Sequence, residues 1–364
     1  MHMADALLSP VVALAADAVG VAAVGISVAR VKKDEFSEKK VPLIGVAGAL
    51  VFAGQMINFT IPGTGSSGHI GGGILLAGLL GGVPAFLSMT AVLIIQCLFF
   101  ADGGLLALGC NIFNLGVIPC LLVYPLVFKP IFRTAVSYRR LSAASVISAT
   151  AALVLGASCV VLQVMLSGVA QLPVGTFTAL MLPIHLVIGI VEGIVTAAVL
   201  CFVHRARPEV VTASLAGGKL DGIPVKKTVA AIAVLAVLAG GALSLLASKN
   251  PDGLEWAVEG TLEKTAAEAP GAAAVVPGAA QADEQSGHPE ESSTAGALHV
   301  RAADIRDATA VLPDYSFSYD GENAAGTSAS GLIGAAITFV VAGAAGLSIS
   351  LVKKRKREAA GADA

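Results

Sequence analysis

Apolar residues in this chain come in long runs rather than in alternation. Runs of about 20 residues, enough for a helix to cross a hydrocarbon core about 30 Å thick, fall at 7–30, 41–59, 84–101, 109–128, 141–167, 179–204, 227–247 and 331–352. A shorter run at 70–82 begins among glycines and predicts a short or re-entrant helix. The pattern predicts an all-α membrane protein, a polytopic bundle of nine helices. Residues 1–204 form a dense block of about seven helices, and 205–226 read as a polar linker. In 227–352 two further helices flank a long loop, 248–330, and 353–364 is a basic tail.

Composition narrows the class. The chain is 55% hydrophobic and 13% charged, where soluble proteins average about 25% charged. That excludes a disordered chain, a basic nucleic-acid binder and an ordinary soluble enzyme. The net charge of −2 hides a strong segregation. Most Lys and Arg fall in four segments: Arg30 to Lys40, Lys129 to Arg140, Arg205 to Lys227, and Lys353 to Arg357. With nine alternating spans these lie on one side, which the positive-inside rule makes cytoplasmic. The N-terminus, the 60–69 loop, the 102–108 turn and the 248–330 loop then face out, and the C-terminus faces in. This alternation counts 70–82 as a full crossing. More than half of the acidic residues fall in 248–330, whose centre is low-complexity and reads as a flexible, solvated loop; an acidic loop there could also concentrate cations. No Lys or Arg precedes the first apolar run, so a conventional signal peptide is not expected and the initiator end is expected to be retained. The five cysteines sit in apolar runs without a CxxC and read as buried thiols.

Few polar atoms remain to carry chemistry. Met1-His2 offers an amine, an amide and an imidazole in sequence, which can chelate one metal ion through fused rings. Nitrogen-rich square-planar coordination suits Ni(II) or Cu(II). The loop Ile61 to Gly73, on the same side, contains Gly63, Gly65 and Gly68. It joins two membrane helices rather than a strand and a helix, which excludes a dinucleotide fingerprint, and it lacks the Lys-Ser/Thr of a phosphate-binding loop. Its glycines instead allow tight backbone turns at membrane depth, where irregular backbone must be buried in protein. His69 sits in that turn and would supply a fourth nitrogen if it faced His2. Asp102-Gly103-Gly104 makes a turn, followed by Asn111 and Asn114 one helical turn apart; such amides join helices or support a site. His185 and Glu192, seven residues apart, share a helix face, with a structural or a supporting or gating role.

Together these motifs resemble a known family. MHMADALLSP, VPLIGVAGALVFAGQMINF, GSSGHIGGG, LFFADGGLLALGCNIFNLGV and HLVIGIVEGIVTAAV occur in the order of the nickel and cobalt uptake membrane proteins of the energy-coupling factor (ECF) class, CbiM and NikM. Pro251-Asp252-Gly253-Leu254-Glu255 resembles the signature of their small two-helix partner, the CbiN/NikN type, fused here to the C-terminus. The resemblance implies that Met1, His2 and His69 bind transported Co²⁺ or Ni²⁺, with no resident cofactor. It implies a transmembrane coupling protein of the CbiQ/NikQ type and ATPase subunits of the CbiO/NikO type as partners, since this chain has no Walker A motif. Asn111, Asn114, His185 and Glu192 then support or gate the site. The chain departs from the family at Ala4-Asp5-Ala6, which leaves the choice of metal open. The alternative is an ATP-independent channel or secondary transporter. A row of intramembrane carboxylates would favour that, but only Glu192 and Asp17 are available.

Overall fold

A computed structural model describes residues 2–30, 40–132, 136–216, 225–268, 294–317 and 324–362. The basic segments around 31–39, 133–135 and 217–224 lie outside the described residues, as do Met1 and the low-complexity 269–293.

Among the described residues the architecture is helical apart from one two-residue strand pair. The long apolar runs become α1 (Pro10–Arg30), α4 (Gly82–Phe100), α5 (Leu108–Phe132), α6 (Tyr138–Ser167), α7 (Val174–Ala206), α9 (Lys226–Leu246) and α12 (Ala324–Ala362). These seven are long and apolar enough to cross a bilayer. The chain is a multi-pass membrane protein. Two shorter apolar helices join them among the described residues: α2 (Val41–Gln55) and α3 (Gly73–Leu80). Helix α2 is buried over nearly its whole surface, with α4 on one side and α9 and α12 on another. Its lack of a polar stripe follows from that central position.

Small residues set the helix spacings, as membrane packing requires. Gly189 and Gly193 of α7 lie against the backbone of α6, so that a Cβ on either would fall 2.7 Å from the Thr150 Cα or 2.5 Å from the Val146 Cα. Gly240 of α9 and Gly331 of α12 meet backbone to backbone. Phe339 of α12 covers Gly45 of α2, which seats the second part of the chain on the first. Within α5, residues Ile112–Phe128 wind with wide i→i+5 turns around Pro119 and Pro125, a geometry that often marks functional segments.

One expectation is met and two change. The 70–82 run holds a short helix, of only 8 residues, about 12 Å long. It still reaches the far end of the bundle because the preceding loop carries the chain deep among the helices before α3 begins. At that far end, Ser214 donates its hydroxyl to the Gly78 carbonyl at 2.6 Å. Secondly, the 205–226 linker holds a docked helix, α8 (Pro208–Ala216), with Val210, Val211 and Ser214 buried; Tyr124 donates to the Ser214 carbonyl at 3.0 Å. Thirdly, the flanks of the 248–330 loop are structured as α10 (Gly253–Glu268) and α11 (Thr294–Thr309), followed by a short turn, Pro313–Tyr315. They dock on the bundle at the end where the N-terminal segment sits. All five cysteines are free thiols.

Candidate metal centre

The centre is built by three segments that converge on the N-terminal segment. The first is that segment itself. Asn111 grips the Met3 backbone from both sides: its Oδ1 accepts the Met3 N–H at 2.8 Å and its Nδ2 donates to the Met3 carbonyl at 3.3 Å. The Gly104 N–H donates to the same carbonyl at 2.9 Å. The Asp5 carboxylate accepts the Ala107 and Leu105 N–H groups at 2.9 and 3.2 Å. The Met3 side chain is fully buried, and Asn114 donates to its Sδ at 3.7 Å and to Gln163 Oε1 at 2.8 Å. His2 is thereby fixed just inside the bundle.

The second segment is the glycine loop. Phe59–Thr60 and Ser67–Gly68 pair antiparallel, with Phe59 opposite Gly68 and Thr60 opposite Ser67. The connecting turn uses Gly63 and Gly65 at φ near +80°, a conformation costly for residues with a Cβ. Beyond His69, the Gly71 and Gly72 N–H groups donate to the Glu192 carboxylate at 2.7 and 3.0 Å. Gln55 Nε2 donates to the Gly71 carbonyl at 2.9 Å, and Gln96 Nε2 to Gln55 Oε1 at 2.6 Å. Glu192 therefore anchors the loop from α7. That is the structural one of its two readings.

These anchors bring His2 and His69 together. Their ring centroids are 5.3 Å apart and their planes differ by 15°. An imidazole bonded to a metal at about 2.0 Å has its centroid about 3.1 Å from the ion, so two rings sharing one ion must lie within about 6.3 Å. The pair meets this limit, with the two rings stacked in nearly parallel planes. The His69 Nδ1 lies 3.2 Å from the Ile70 carbonyl. A carbonyl only accepts, so Nδ1 carries the proton and Nε2 the lone pair, the usual arrangement of a metal-binding histidine. His2 Nε2 is buried, with no hydrogen-bond partner among the described residues. Burial lowers the pKa of both imidazoles; Asp102 partly offsets this for His2. Both rings are therefore neutral at pH 7, the state a metal requires.

The third segment is the turn before α10. Asp252 Oδ2 lies 3.9 Å from His69 Nε2. Asp102 Oδ1 lies 3.4 Å from His2 Nδ1, and its Oδ2 accepts the Tyr315 hydroxyl at 2.5 Å. His185 lies one layer behind, with Nδ1 2.8 Å from the Met181 carbonyl, and lines a cavity of about 10 Å³ together with His69 and Asp252.

Of the residues singled out in the sequence, His2 and His69 meet, Asn111 and Asn114 hold the segment that carries His2, Glu192 holds the loop that carries His69, and His185 borders the site. Met1 lies outside the described residues. Asp102, Asp252, Tyr315, Gln55 and Gln96 were not marked as site residues. The two glutamines carried a signal, being amides in apolar helices like Asn111 and Asn114. In the sequence Asp102 stands only in a turn and Asp252 only in a motif.

The first unit matches the CbiM family model, described as the cobalt uptake substrate-specific transmembrane region, over residues 2–210. The chain belongs to this family. Its second unit matches the PDGLE domain over 226–289 and 278–351, so this is a CbiM/NikM protein with a fused C-terminal PDGLE part. A Haloquadratum walsbyi chain named for metal transport is 38% identical over 58% of this chain and 93% of its own length. An Archaeoglobus fulgidus chain named for fused nickel transport is 34% identical over 60% of this chain and 71% of its own. A crystal structure of a truncated transition metal transporter superposes with a TM-score of 0.50 and 28% identity, over 57% of this chain and 99% of that one. This CbiM-family chain is thus a metal transport component.

Proposed function

We propose that this chain is the metal-binding S component of an ECF-type importer for Ni²⁺ or Co²⁺. The ion is held by the Met1 amine, the His2 amide and imidazole, and the His69 imidazole. Binding takes place at the outer face. The observation that carries the reading is the His2–His69 pair: two largely buried, neutral imidazoles with centroids 5.3 Å apart, each fixed by a separate hydrogen-bonded segment.

The orientation, N-terminus outside and C-terminus cytoplasmic, has structural support in the clustering of basic ends. Lys353 at the end of α12 donates to the Ala29 carbonyl beside Arg30, and Lys129 lies over the Tyr124 ring, which contacts α8. Excess positive charge at one end is the topological signature of the cytoplasmic side. Release into the cell is driven by a coupling protein of the CbiQ/NikQ type and ATPases of the CbiO/NikO type, since this sequence holds no nucleotide-binding motif of its own. An ATP-independent channel is disfavoured by Glu192, whose two carboxylate oxygens are engaged by backbone N–H groups.

The test is metal uptake in cells carrying the partner subunits. His69→Ala and His2→Ala each abolish uptake while membrane insertion persists. Uptake that survives in both variants overturns the site. Uptake into vesicles lacking ATPase subunits overturns the energy source.

A further inference from the structure

The turn Pro251-Asp252-Gly253 is where the second unit enters the metal centre. Each of its residues is engaged with the first unit. The Pro251 carbonyl accepts the Ser67 N–H at 2.8 Å, and the Asn250 carbonyl accepts the Ser67 hydroxyl at 2.8 Å. A Cβ on Gly253 would fall 3.1 Å from His185 Cε1 and 2.9 Å from Ile188 Cδ1. A side chain there would push the Ile188 Cδ1 aside and crowd the His185 ring, so glycine keeps this approach close. Trp256, in the first turn of α10, donates Nε1–H to the Thr64 carbonyl at the hairpin tip, at 2.9 Å. Leu254, Ala257 and Val258 are buried beneath it.

The Asp252 carboxylate faces both α10 and the metal centre. Oδ1 accepts the Leu254 and Glu255 N–H groups, both at 2.9 Å, and so caps α10. Oδ2 faces His69 Nε2 at 3.9 Å. Two electron-pair donors at that separation fit around one cation, because ligands on opposite sides of an ion lie up to about 4.1 Å apart. Asp102 stands on the other ring, near His2, and is itself held by Tyr315 from the second unit. The imidazole pair is therefore bracketed by two carboxylates. Their combined charge matches that of a divalent ion, which a poorly solvated site could not otherwise hold cheaply.

We propose that Asp252 is a charge-supplying residue of the metal site, contributed by the fused PDGLE unit, and that docking of this unit raises the site's affinity for its ion. This rests on the reading that the ion binds at His2 and His69. The motif then has two roles. Its carboxylate supplies charge to the metal, and its neighbours fasten the lid that carries that carboxylate. Undocking of α10 would withdraw the charge and loosen the loop holding His69 in one movement, a route by which the ion could be released.

The experiment uses the full-length protein with an untagged N-terminus in nanodiscs. Ni²⁺ or Co²⁺ binding is measured by equilibrium dialysis and by the emission of Trp256, the only tryptophan in the sequence. Asp252→Asn removes the charge but keeps a good helix cap, so helicity and the metal-free emission stay unchanged. Affinity falls about 10- to 100-fold, the range seen when groups supporting a metal site are removed. Asp252→Ser, also a capping residue, covers the case in which the Asn variant fails to fold. Asp252→Glu restores the charge and recovers part of the affinity. If His69→Ala abolishes binding while Asp252→Asn and Asp252→Ser bind like the parent, the proposal for Asp252 is overturned and the site reading stands. If Asp252→Glu binds no better than Asp252→Asn, a charge role is overturned. If His69→Ala binds like the parent, the site reading itself fails.

Discussion

Glu192 offers a way to separate an anchoring carboxylate from a conducting one. It is buried and accepts the Gly71 and Gly72 N–H groups at 2.7 and 3.0 Å. In Glu192→Gln one side-chain oxygen can still accept, but the other position becomes an NH₂ group facing an N–H. One buried donor loses its partner, which costs about 1–3 kcal/mol. Gly71 and Gly72 follow His69 directly, so this cost falls on the loop that presents the imidazole. A loss of about 2 kcal/mol expressed wholly in loop order corresponds to roughly a 30-fold weaker apparent affinity. The assay is equilibrium dialysis of Ni²⁺ or Co²⁺ with the nanodisc-embedded protein, alongside hydrogen exchange of the 67–73 backbone. Faster exchange and weaker binding are expected together. Parental affinity and exchange in Glu192→Gln would refute the anchoring argument. Parental binding with abolished uptake would refute it differently, by moving Glu192 into a transport path.

Two further outcomes follow from the same geometry. Asn111→Ala removes both side-chain bonds to the Met3 backbone; at about 1 kcal/mol net each it should weaken metal binding roughly 10- to 30-fold in a dialysis titration while leaving the Trp256 emission of the metal-free protein unchanged. Acidification should destabilise the metal-free protein. His2 and His69 have folded-state pKa values below the ordinary 6.5, so the unfolded chain binds protons that the folded chain refuses, and stability falls as pH drops below about 6.5. A thermal melt at pH 5 should show a lower Tm than at pH 7, and His69→Ala should flatten that dependence.

Much of the fold was legible because lipid imposes a simple code: a long run without charge has few options other than a helix. That code located the long apolar helices of the described residues and the short one at 70–82. It did not show that this segment is only 8 residues of helix entered through a deep loop, because a glycine run does not state how far it reaches before helix begins. It also passed over α8, whose buried Val210 and Val211 are too few to stand out from a polar context. The sequence puts His2 and His69 on the same side of the bundle, and the resemblance of their motifs implies that they share an ion. Asp252 could not be joined to them in advance, since it lies 183 positions from His69 and its approach depends on Gly253 fitting beside His185, a tertiary fact. Asp102 was read as a turn residue for the same reason: nothing local says that its carboxylate faces His2.

The account rests on one ion being held by His2 and His69, and the most direct test is to load the intact, untagged protein with Ni²⁺ and count its ligands by X-ray absorption. The account predicts one ion per chain in a nitrogen-dominated shell containing two imidazoles, falling to one imidazole or to no bound ion in His69→Ala. A shell without imidazole, or one that His2→Ala and His69→Ala leave unchanged, would contradict it.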